Sequence, residues 1–590
     1  MALLDLVVVV GWLALSTGVG FWLGRQASPT LEGFLVADRN LPWWIVGTSM
    51  VATTFAADTP LVVAGYVATG GILANWNWWW MGAAGMVGMY LFAPLWRRSG
   101  VLTDIELTEL RYAGPSASLL RLLKAVWFGI FINVLTIAWV MGAMRKIVNT
   151  VIDLPPTLAG LPPDLAIVGL LFLLTVSYTT AAGFYGVVAT DVLQFVLAMT
   201  GSVLLAVLAW QHAGGLDGIH QGWTTHGLDP IIATQLLPVP DSVPDGQFAQ
   251  WLVLMGITWW SSKQIDGGGY LAQRLFAARN EQHATWAYLW FTIAHICVRP
   301  WPWVIVGLVG VATLGAVDDP ETLYPSMMVT LLPPGVFGLV LAGFLAAFMS
   351  TIDTQLHWGA SLIVRDIWQR FIDPDASSQR LLAVSRASVV ALALLGAFGA
   401  LQIDRLGGAW ELAFSVTAGL GTVTIARWYW WRTNAWSELA AMGYAAAATW
   451  VLSRHGTSLT ASLGLPEGWV RFPFNTALIT FTGLPLWVGI TWMTAPVPSE
   501  HLRRFVTRVR PGGPGWTRFQ DMASGPGAAH LVGIVGGILL VYGILLGTGG
   551  ILLHATTSSV WGATGALLGA AMTRWALRTI ASSEKHREAP

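Results

Sequence analysis

Long apolar stretches separated by short polar segments recur along nearly the whole chain. A bilayer core about 30 Å thick needs about 20 mostly apolar residues in a helix. On this criterion the pattern predicts an all-α integral membrane protein with about fifteen transmembrane helices. The predicted spans lie near residues 6–24, 43–67, 76–96, 123–144, 164–182, 184–212, 249–268, 284–315, 335–363, 387–402, 407–426, 434–453, 474–495, 529–554 and 558–577.

The composition supports a membrane location. Charged residues make up 11% of the chain and apolar residues 55%, and the mean hydropathy is +0.62. Soluble domains carry about 25% charged residues, so much of this surface must face a lipid bilayer. The formal net charge is zero, which argues against a nucleic-acid partner. The single cysteine, Cys297, excludes an intrachain disulfide.

The distribution of basic residues predicts an orientation. If the N-terminus is outside and there are fifteen spans, most of the 31 Lys and Arg residues fall in cytoplasmic loops or in the C-terminal tail. The external segment 214–248 contains neither. We therefore expect a multi-pass protein of the cell (inner) membrane with its N-terminus outside and its C-terminus in the cytoplasm. The densest basic loop contains Arg503, Arg504, Arg508, Arg510 and Arg518.

The second predicted span contains features that interrupt a helix at mid-membrane depth. Pro60 removes a backbone hydrogen bond, and several hydroxyls and the carboxylate of Asp58 precede it. Irregular backbone is tolerated there only where it lines a cavity or is buried in protein. A simple proline kink is the alternative, with the hydroxyls bonded to their own helix. Asp58 favours a functional site, because carboxylates buried in membranes are functional candidates.

The seventh predicted span contains a second interruption, three consecutive glycines at 267–269 beside Lys263 and Asp266. Glycines leave helical geometry at little steric cost. This segment lies five spans after the first break, and an odd offset reverses the direction of the chain. Spans 2–6 and 7–11 therefore form a candidate inverted repeat, and paired broken helices in such repeats indicate the central site of a transporter.

Oxygen-bearing side chains occur in two other spans. Ser350 and Thr351 lie in the ninth span, and their hydroxyls are hard ligands suited to small alkali cations, although such hydroxyls often bond to the preceding turn. Asp191 lies in the sixth span, where it could equally cap the start of a helix. A phosphate-binding Gly-x-x-x-x-Gly-Lys-Ser/Thr loop is absent from the sequence, which argues against direct use of ATP. Any energy for transport must therefore come from an ion gradient.

Four motifs resemble the sodium:solute symporter family, which includes sodium/glucose cotransporters and has a LeuT-type fold. The resemblance extends from about residue 30 to about residue 450. The motifs are FLVADRNLPW at 34–43, TTAAGFYGVVATDVLQ at 179–194, YLAQR at 270–274 and AAFMSTID at 346–353. The last is the most specific, because the family typically has a Ser-Ser or Ser-Thr pair there.

The resemblance implies a LeuT-type 5+5 inverted repeat with additional peripheral helices. It implies a peripheral helix and linker at 1–42, a transport core at 43–427 and additional helices with a short tail at 428–590. It also implies alternating access with sodium as the coupling ion and no other cofactor. The implied sodium site consists of backbone carbonyls and two hydroxyls, with a carboxylate near the inner exit: Ala52, Phe55, Ala347, Ser350, Thr351 and Asp191.

The candidate solute-binding residues differ from the pattern of the sugar carriers. Where those carriers have amides and carboxylates, this chain has Thr59, Trp78 and Gly268, together with Asp58, Lys263, Asp266 and Arg299. Arg299 or Lys263 would suit an anionic or zwitterionic solute. The alternative is that these charges form structural ion pairs with Asp58 or Asp266.

The sequence predicts a sodium-coupled importer of a small polar solute that is not an enzyme. Its expected partners are the solute, sodium and the lipid bilayer, and its oligomeric state is left open. A proton-coupled carrier in which Asp58 or Asp191 titrates is one alternative, and a membrane sensor that binds solute without transporting it is another. His295 and His357 lie well inside predicted spans, but neither has a partner at metal-ligand spacing, which argues against a metalloenzyme.

Overall fold

A computed structural model describes residues 1–24, 36–158, 160–179, 184–240, 246–464, 466–522 and 525–588. Parts of the predicted linker (25–35) and of the 179–194 motif (180–183) lie outside these residues. Helices account for 82% of the structure, and the described residues contain no β-strand. The predicted all-α class is confirmed.

The first half of the chain forms helices of very different length. They are α1 (Leu3–Gly24), α2 (Trp43–Thr53), α3 (Asp58–Gly70), α4 (Trp76–Trp79), α5 (Met81–Val87), α6 (Ala93–Ser99), α7 (Leu107–Arg111), α8 (Pro115–Val126), α9 (Asn133–Val151), α10 (Pro163–Thr179), α11 (Phe184–Ala213), α12 (Gly215–Thr225), α13 (Pro230–Thr234), α14 (Gln247–Val253), α15 (Trp259–Ser261) and α16 (Tyr270–Ala277).

The second half continues the same pattern. Its helices are α17 (Glu281–Ile293), α18 (Pro300–Leu314), α19 (Leu323–Leu331), α20 (Val336–Leu362), α21 (Ser378–Ala400), α22 (Leu406–Val416), α23 (Leu420–Tyr429), α24 (Ala435–Leu463), α25 (Phe474–Met493), α26 (Ser499–Val509), α27 (Ala528–Leu552) and α28 (Thr556–Glu588).

Eight helices in the described part of the chain are long and apolar enough to cross a membrane, and two bent pairs bring this number to ten. The count of about fifteen stays a prediction, because several predicted spans are divided into short helices. One bent pair, α2 and α3, changes direction by 61° at the break expected before Pro60. The other, α22 and α23, bends by 46° where a continuous span was expected. Gly419 has a positive φ of 74° at that bend, a conformation that suits glycine.

The chain contacts divide it into two compact units, each made of three segments. Unit 1 comprises Met1–Asn75, Ala125–Leu237 and Val298–Ala409. Unit 2 comprises Trp76–Lys124, Pro238–Cys297 and Trp410–Pro590. The predicted boundaries at residues 42 and 427 follow the order of the sequence and stay predictions.

Unit 1 contains α1, which packs against α11 and α20. The carboxylate of Asp5 in α1 accepts the backbone N–H groups of Gly335 at 2.6 Å and Gly338 at 3.0 Å. These N–H groups have no partner inside their own helix, so Asp5 caps the start of α20. The first helix is thereby attached to the helix that contains Ser350 and Thr351.

Unit 2 contains the C-terminal hairpin of α27 and α28, which packs through glycines. A Cβ at Gly543 would lie 2.3 Å from the backbone nitrogen of Ala566, and one at Gly562 would lie 2.3 Å from that of Gly547. The two backbones therefore approach as closely as small residues allow, as in other membrane helix pairs. The hydroxyl of Tyr542 on α27 donates to the carbonyl of Trp79 (2.9 Å) and accepts from the N–H of Ala83 (3.2 Å). It thus joins the ends of α4 and α5.

Candidate functional site

The break between α2 and α3 leaves backbone carbonyls without partners in their own helix. Residues 54–57 do not continue α2, so the last carbonyls of that helix need other partners. A helix C-terminus also has a partial negative charge. Ala52, Thr53 and Phe55 are buried there, so these partners must come from the protein or from a bound ion.

Two hydroxyls of α20 reach these carbonyls within unit 1. The hydroxyl of Ser350 lies 3.1 Å from the carbonyl oxygen of Ala52 and 3.0 Å from that of Ala347. The hydroxyl of Thr351 donates to the carbonyl of Thr53 at 2.9 Å. Three of the five residues in the implied cage therefore meet at the Ser350 hydroxyl, and Thr351 contacts the carbonyl next to that of Ala52. All four of these residues are buried.

The cluster includes one hydroxyl pair that the sequence analysis did not select. The hydroxyls of Thr53 and Thr354 lie 3.0 Å apart. Thr354 follows Ser350 by four positions and Thr351 by three, so it lies on the same face of α20. This spacing could have identified it. We call the carbonyls of Ala52, Thr53 and Ala347 and the hydroxyls of Thr53, Ser350, Thr351 and Thr354 the oxygen cluster.

The buried carboxylates of Asp191 and Asp353 in unit 1 contact hydroxyls of other helices. Asp191 on α11 accepts a hydrogen bond of 2.6 Å from the hydroxyl of Ser49 on α2. Asp353 on α20 accepts one from the hydroxyl of Thr179, at the end of α10. Asp191 does not cap a helix start here, because α11 begins at Phe184, a full seven residues before it. The carboxylate instead connects α11 to the helix that ends in the oxygen cluster.

The remaining candidates in unit 1 have different surroundings. Asp58 and Thr59 form the buried first turn of α3. The Arg299 guanidinium donates to the carbonyl of Val51 and to the hydroxyl of Thr54, both at 3.2 Å. Because Val51 and Thr54 lie at the end of α2, Arg299 neutralises the negative end of that helix. This contact was not expected from the sequence.

The second predicted break is present in unit 2. Ser262 has an extended backbone, Lys263–Asp266 form a single tight turn, and Gly267 and Gly269 have positive φ angles of 69° and 81°. The helix resumes only at Tyr270. The backbone of α23 packs directly on this break, since a Cβ at Gly421 would lie 2.3 Å from the carbonyl oxygen of Trp260.

Both carboxylate oxygens and the backbone carbonyl of Asp266 accept hydrogen bonds within unit 2. One carboxylate oxygen accepts hydrogen bonds from the Arg427 guanidinium and, at 2.9 Å, from the indole of Trp428. The other accepts the N–H of Gly268 at 3.0 Å. The backbone carbonyl of Asp266 accepts the indole N–H of Trp96 at 2.6 Å. Asp266 is therefore part of a structural ion pair, but its partner is Arg427, whereas the sequence suggested Lys263 or Arg299.

The ion pair is part of a larger buried network. Glu438 accepts hydrogen bonds from Lys124 and, at 2.7 Å, from Tyr112, and it lies 3.8 Å from the Arg427 guanidinium. We call Lys124, Asp266, Arg427 and Glu438 the charge network. Next to the charge network, Arg111 donates to the backbone carbonyl of Arg427 at 2.6 Å. Burial lowers the pKa of Arg111 to about 10, so this guanidinium is still charged at neutral pH.

The other solute candidates of unit 2 are Lys263, Gly268 and Trp78. Lys263 is half-buried. Gly268 stays close to Asp266, because a Cβ there would lie 3.0 Å from the carboxylate. Trp78 is buried in α4, and its ring makes an edge contact with that of His295 at 4.9 Å between centroids. Among the described residues, no group of His, Cys, Asp or Glu has metal-site geometry.

Comparison with known proteins agrees with the geometry. The model of the sodium:solute symporter family matches residues 34–443, more than half of the chain. The chain belongs to the sodium:solute symporter family. This match confirms the predicted family. Because its members are sodium-coupled transporters and not enzymes, it also confirms the non-enzymatic class. The LeuT-type fold is confirmed by the likeness to solved transporters.

Two sequence relatives and one solved structure illustrate what the chain is similar to. The sodium/glucose cotransporter of Vibrio parahaemolyticus is 25% identical over 82% of this chain and 91% of that protein. The sodium/mannose cotransporter of Bos taurus is 24% identical over 66% of this chain and 68% of its own length. A solved sodium-coupled sialic acid symporter superposes with a TM-score of 0.67 at 18% identity, covering 84% of this chain and 99% of that one.

Proposed function

We propose that this protein is a sodium-coupled symporter that imports a small polar solute by alternating access. The observation that carries the proposal is the convergence of Ser350 and Thr351 on carbonyls at the end of α2. Unwound carbonyls and the C-terminal ends of half-helices are the groups that bind coupling ions in transporters with broken helices. Family membership supports sodium as that ion.

The proposed sodium site consists of the carbonyls of Ala52, Phe55 and Ala347 and the hydroxyls of Ser350 and Thr351. When sodium binds, the two hydroxyls turn their lone pairs to the ion and leave the carbonyls free to coordinate it. Sodium then ties α20 to the end of α2. The Asp191 carboxylate, which reaches α2 through Ser49, provides negative charge on the route of release.

Coupling follows from this arrangement. An ion that orders the end of α2 stabilises the conformation in which α3, with Asp58 and Thr59, is ready for solute. Linkage requires that solute increase sodium affinity by the same factor. One sodium is enough for accumulation, since a 100 mV potential contributes about 2.3 kcal/mol and a tenfold gradient about 1.4 kcal/mol. Their sum supports roughly 400-fold accumulation of a neutral solute.

For the solute we propose a small polar molecule, with Asp58, Thr59, Trp78 and Lys263 as the leading candidates for contact. Arg299 and Asp266 already bond to groups of their own units, and Gly268 has no side chain to offer. The two sequence relatives named above are cotransporters of glucose and mannose, which favours a neutral sugar or polyol. Lys263 favours an anionic or zwitterionic solute. In the membrane we propose the N-terminus outside and the C-terminus in the cytoplasm.

The first test is thermal stability of the purified protein across a solute library, in sodium and then in potassium. The library should pair each neutral sugar or polyol with its carboxylated counterpart. A ligand that binds only the native state stabilises it, so a solute that raises Tm only in sodium identifies the substrate class and the coupling ion together. Equal stabilisation in both cations would contradict sodium coupling.

Transport itself is then measured by uptake into proteoliposomes under an imposed sodium gradient. We expect the stabilising solute to accumulate inside the vesicles above its external concentration. This accumulation should be lost when the sodium gradient is dissipated. Counterflow of labelled solute distinguishes a carrier from a sensor, because a sensor exchanges nothing. Uptake driven by a pH gradient without sodium would instead favour proton coupling.

A further inference from the structure

The loop between α25 and α27 carries an excess of positive charge. Residues 494–527 contain five arginines and two acidic residues, whereas the whole chain has a net charge of zero. All five arginines are exposed. We call them the basic face: Arg503, Arg504, Arg508, Arg510 and Arg518.

The orientation of this loop is fixed by the opposite side of α26. Leu502, Phe505, Val506 and Val509 are buried. The Phe505 ring packs 5.7 Å from that of Trp516 and 6.4 Å from that of Trp428. Because the apolar side is packed on the rest of unit 2, α26 is held in one rotation, with the exposed Arg503, Arg504 and Arg508 on its other side.

The loop also lies at the level of the membrane surface. Only five residues separate Met493, at the end of α25, from Ser499, a reach of at most about 20 Å. Met493 is 87% exposed, and next to it Trp492 is 62% exposed. Exposed indoles at span ends are typical of the headgroup region.

A second helix marks the same level. The side chain of Asn434 donates to the hydroxyl of Thr494 at 2.8 Å, which fixes the start of α24 beside the end of α25. Trp436, in the first turn of α24, is 45% exposed. Two exposed indoles, Trp436 and Trp492, thus flank the segment that leads into α26.

We propose that the basic face binds the headgroups of anionic lipids. An anionic membrane surface attracts basic segments next to transmembrane helices, and the attraction falls off within a Debye length of about 8 Å at physiological salt. The short connection from α25 holds the arginines close to that surface. Arg503 and Arg518 also stack on Phe519 and Trp431, at 5.6 Å and 5.1 Å, which spreads the guanidinium groups along the loop.

The test compares three proteins in detergent: wild type, the triple variant R503Q/R504Q/R518Q, and the control R454Q/R471Q. Arg508 and Arg510 are kept, because Arg508 packs against Gly100 and the carbonyl of Arg510 accepts a bond from Arg98. Arg454 and Arg471 are equally exposed and belong to the same unit, but we expect them on the other side of the membrane. Each protein is titrated with phosphatidylglycerol or phosphatidylcholine while Tm is recorded, and retained lipids are counted by native mass spectrometry.

We expect phosphatidylglycerol to raise the Tm of wild type more than phosphatidylcholine does, and 0.5 M salt to remove most of this difference. In the triple variant the Tm difference between the two lipids should fall by at least half, and fewer anionic lipids should be retained. In the control variant the Tm difference and the number of retained lipids should match those of wild type. A triple variant that responds like wild type would overturn the proposal. So would an equal rise with soluble glycerol phosphate, or stabilisation by an oligonucleotide or polyglutamate without any effect of phosphatidylglycerol.

Discussion

The two helix breaks predicted from the sequence are stabilised by different chemistry. At the end of α2 the contacts join neutral hydroxyls to carbonyls, and the Arg299 guanidinium also donates there. At the break before α16 the contacts centre on Asp266, which is paired with Arg427 and embedded in the charge network. Neutral oxygens can exchange one partner for another at little cost, whereas a buried charge that loses its partner is penalised heavily. The first break is therefore suited to binding and releasing an ion, and the second to remaining fixed.

The largest effect should follow from removing one charge of the second break. Asp266→Ala leaves the Arg427 guanidinium buried without its main partner, which we expect to cost about 3–5 kcal/mol of stability. Thermal unfolding in detergent measures it. The control is Glu500→Ala, which removes an exposed ion pair with Arg504 and should cost at most about 1 kcal/mol.

The double variant D266A/R427A sharpens this test. If the charges depend on each other, the double variant should be more stable than Asp266→Ala alone, because the uncompensated guanidinium is gone. Additive losses from the two substitutions would show that the network does not act as a unit.

The second largest effect concerns the first break. We expect S350A/T351A to raise the sodium concentration for half-maximal uptake by about 100-fold, equal to about 2.7 kcal/mol. The Tm without sodium should fall modestly, because the buried carbonyls of Ala52 and Thr53 each lose a hydroxyl partner. Ser361→Ala is the matched control. Ser361 is a buried hydroxyl of the same helix that bonds only to its own backbone, at the carbonyl of Trp358. Unchanged sodium dependence in the double variant would refute the proposed site.

A smaller effect should separate the two interpretations of Arg299. If Arg299 holds the end of α2, Arg299→Gln should weaken sodium affinity about tenfold, since a hydrogen bond to a charged group is worth about 1.5–3 kcal/mol. The solute KM at saturating sodium should then be unchanged. If Arg299 binds an anionic solute instead, that KM should rise for charged solutes only. Arg299→Lys, which keeps the charge, should lie between wild type and Arg299→Gln.

The smallest effect tests a neutral contact inside unit 2. Tyr542→Phe removes the hydroxyl that joins α4 to α5, and we expect a loss of about 1–2 kcal/mol in thermal unfolding because buried backbone groups lose a partner. Tyr444→Phe is the control, since its hydroxyl bonds to Thr482 at the surface. A Tyr542→Phe protein as stable as the control would show that water or backbone shifts replace the contact.

The sequence was sufficient where the determining chemistry is local. Pro60 and the glycines at 267–269 identified both breaks, and the pair Ser350–Thr351 identified two of the four hydroxyls of the oxygen cluster. The pairing of Asp266 with Arg427 joins residues 161 positions apart, and that of Arg299 with Val51 joins residues 248 apart. Such contacts depend on how helices pack, and hydropathy contains no information about partners. The bend at Gly419 was missed because a glycine inside an apolar run is also compatible with a straight helix.

The contact made by Tyr542 sets a limit on how the chain can be shortened. Helices outside the repeats of a transporter are tempting to remove when a minimal version is wanted for crystallisation or for fusion to a reporter. In this protein a truncation before α27 would also remove the hydroxyl that bridges Trp79 and Ala83, next to the buried Trp78. A shortened version that keeps α27 retains this contact, and a tag attached after α28 leaves it unchanged.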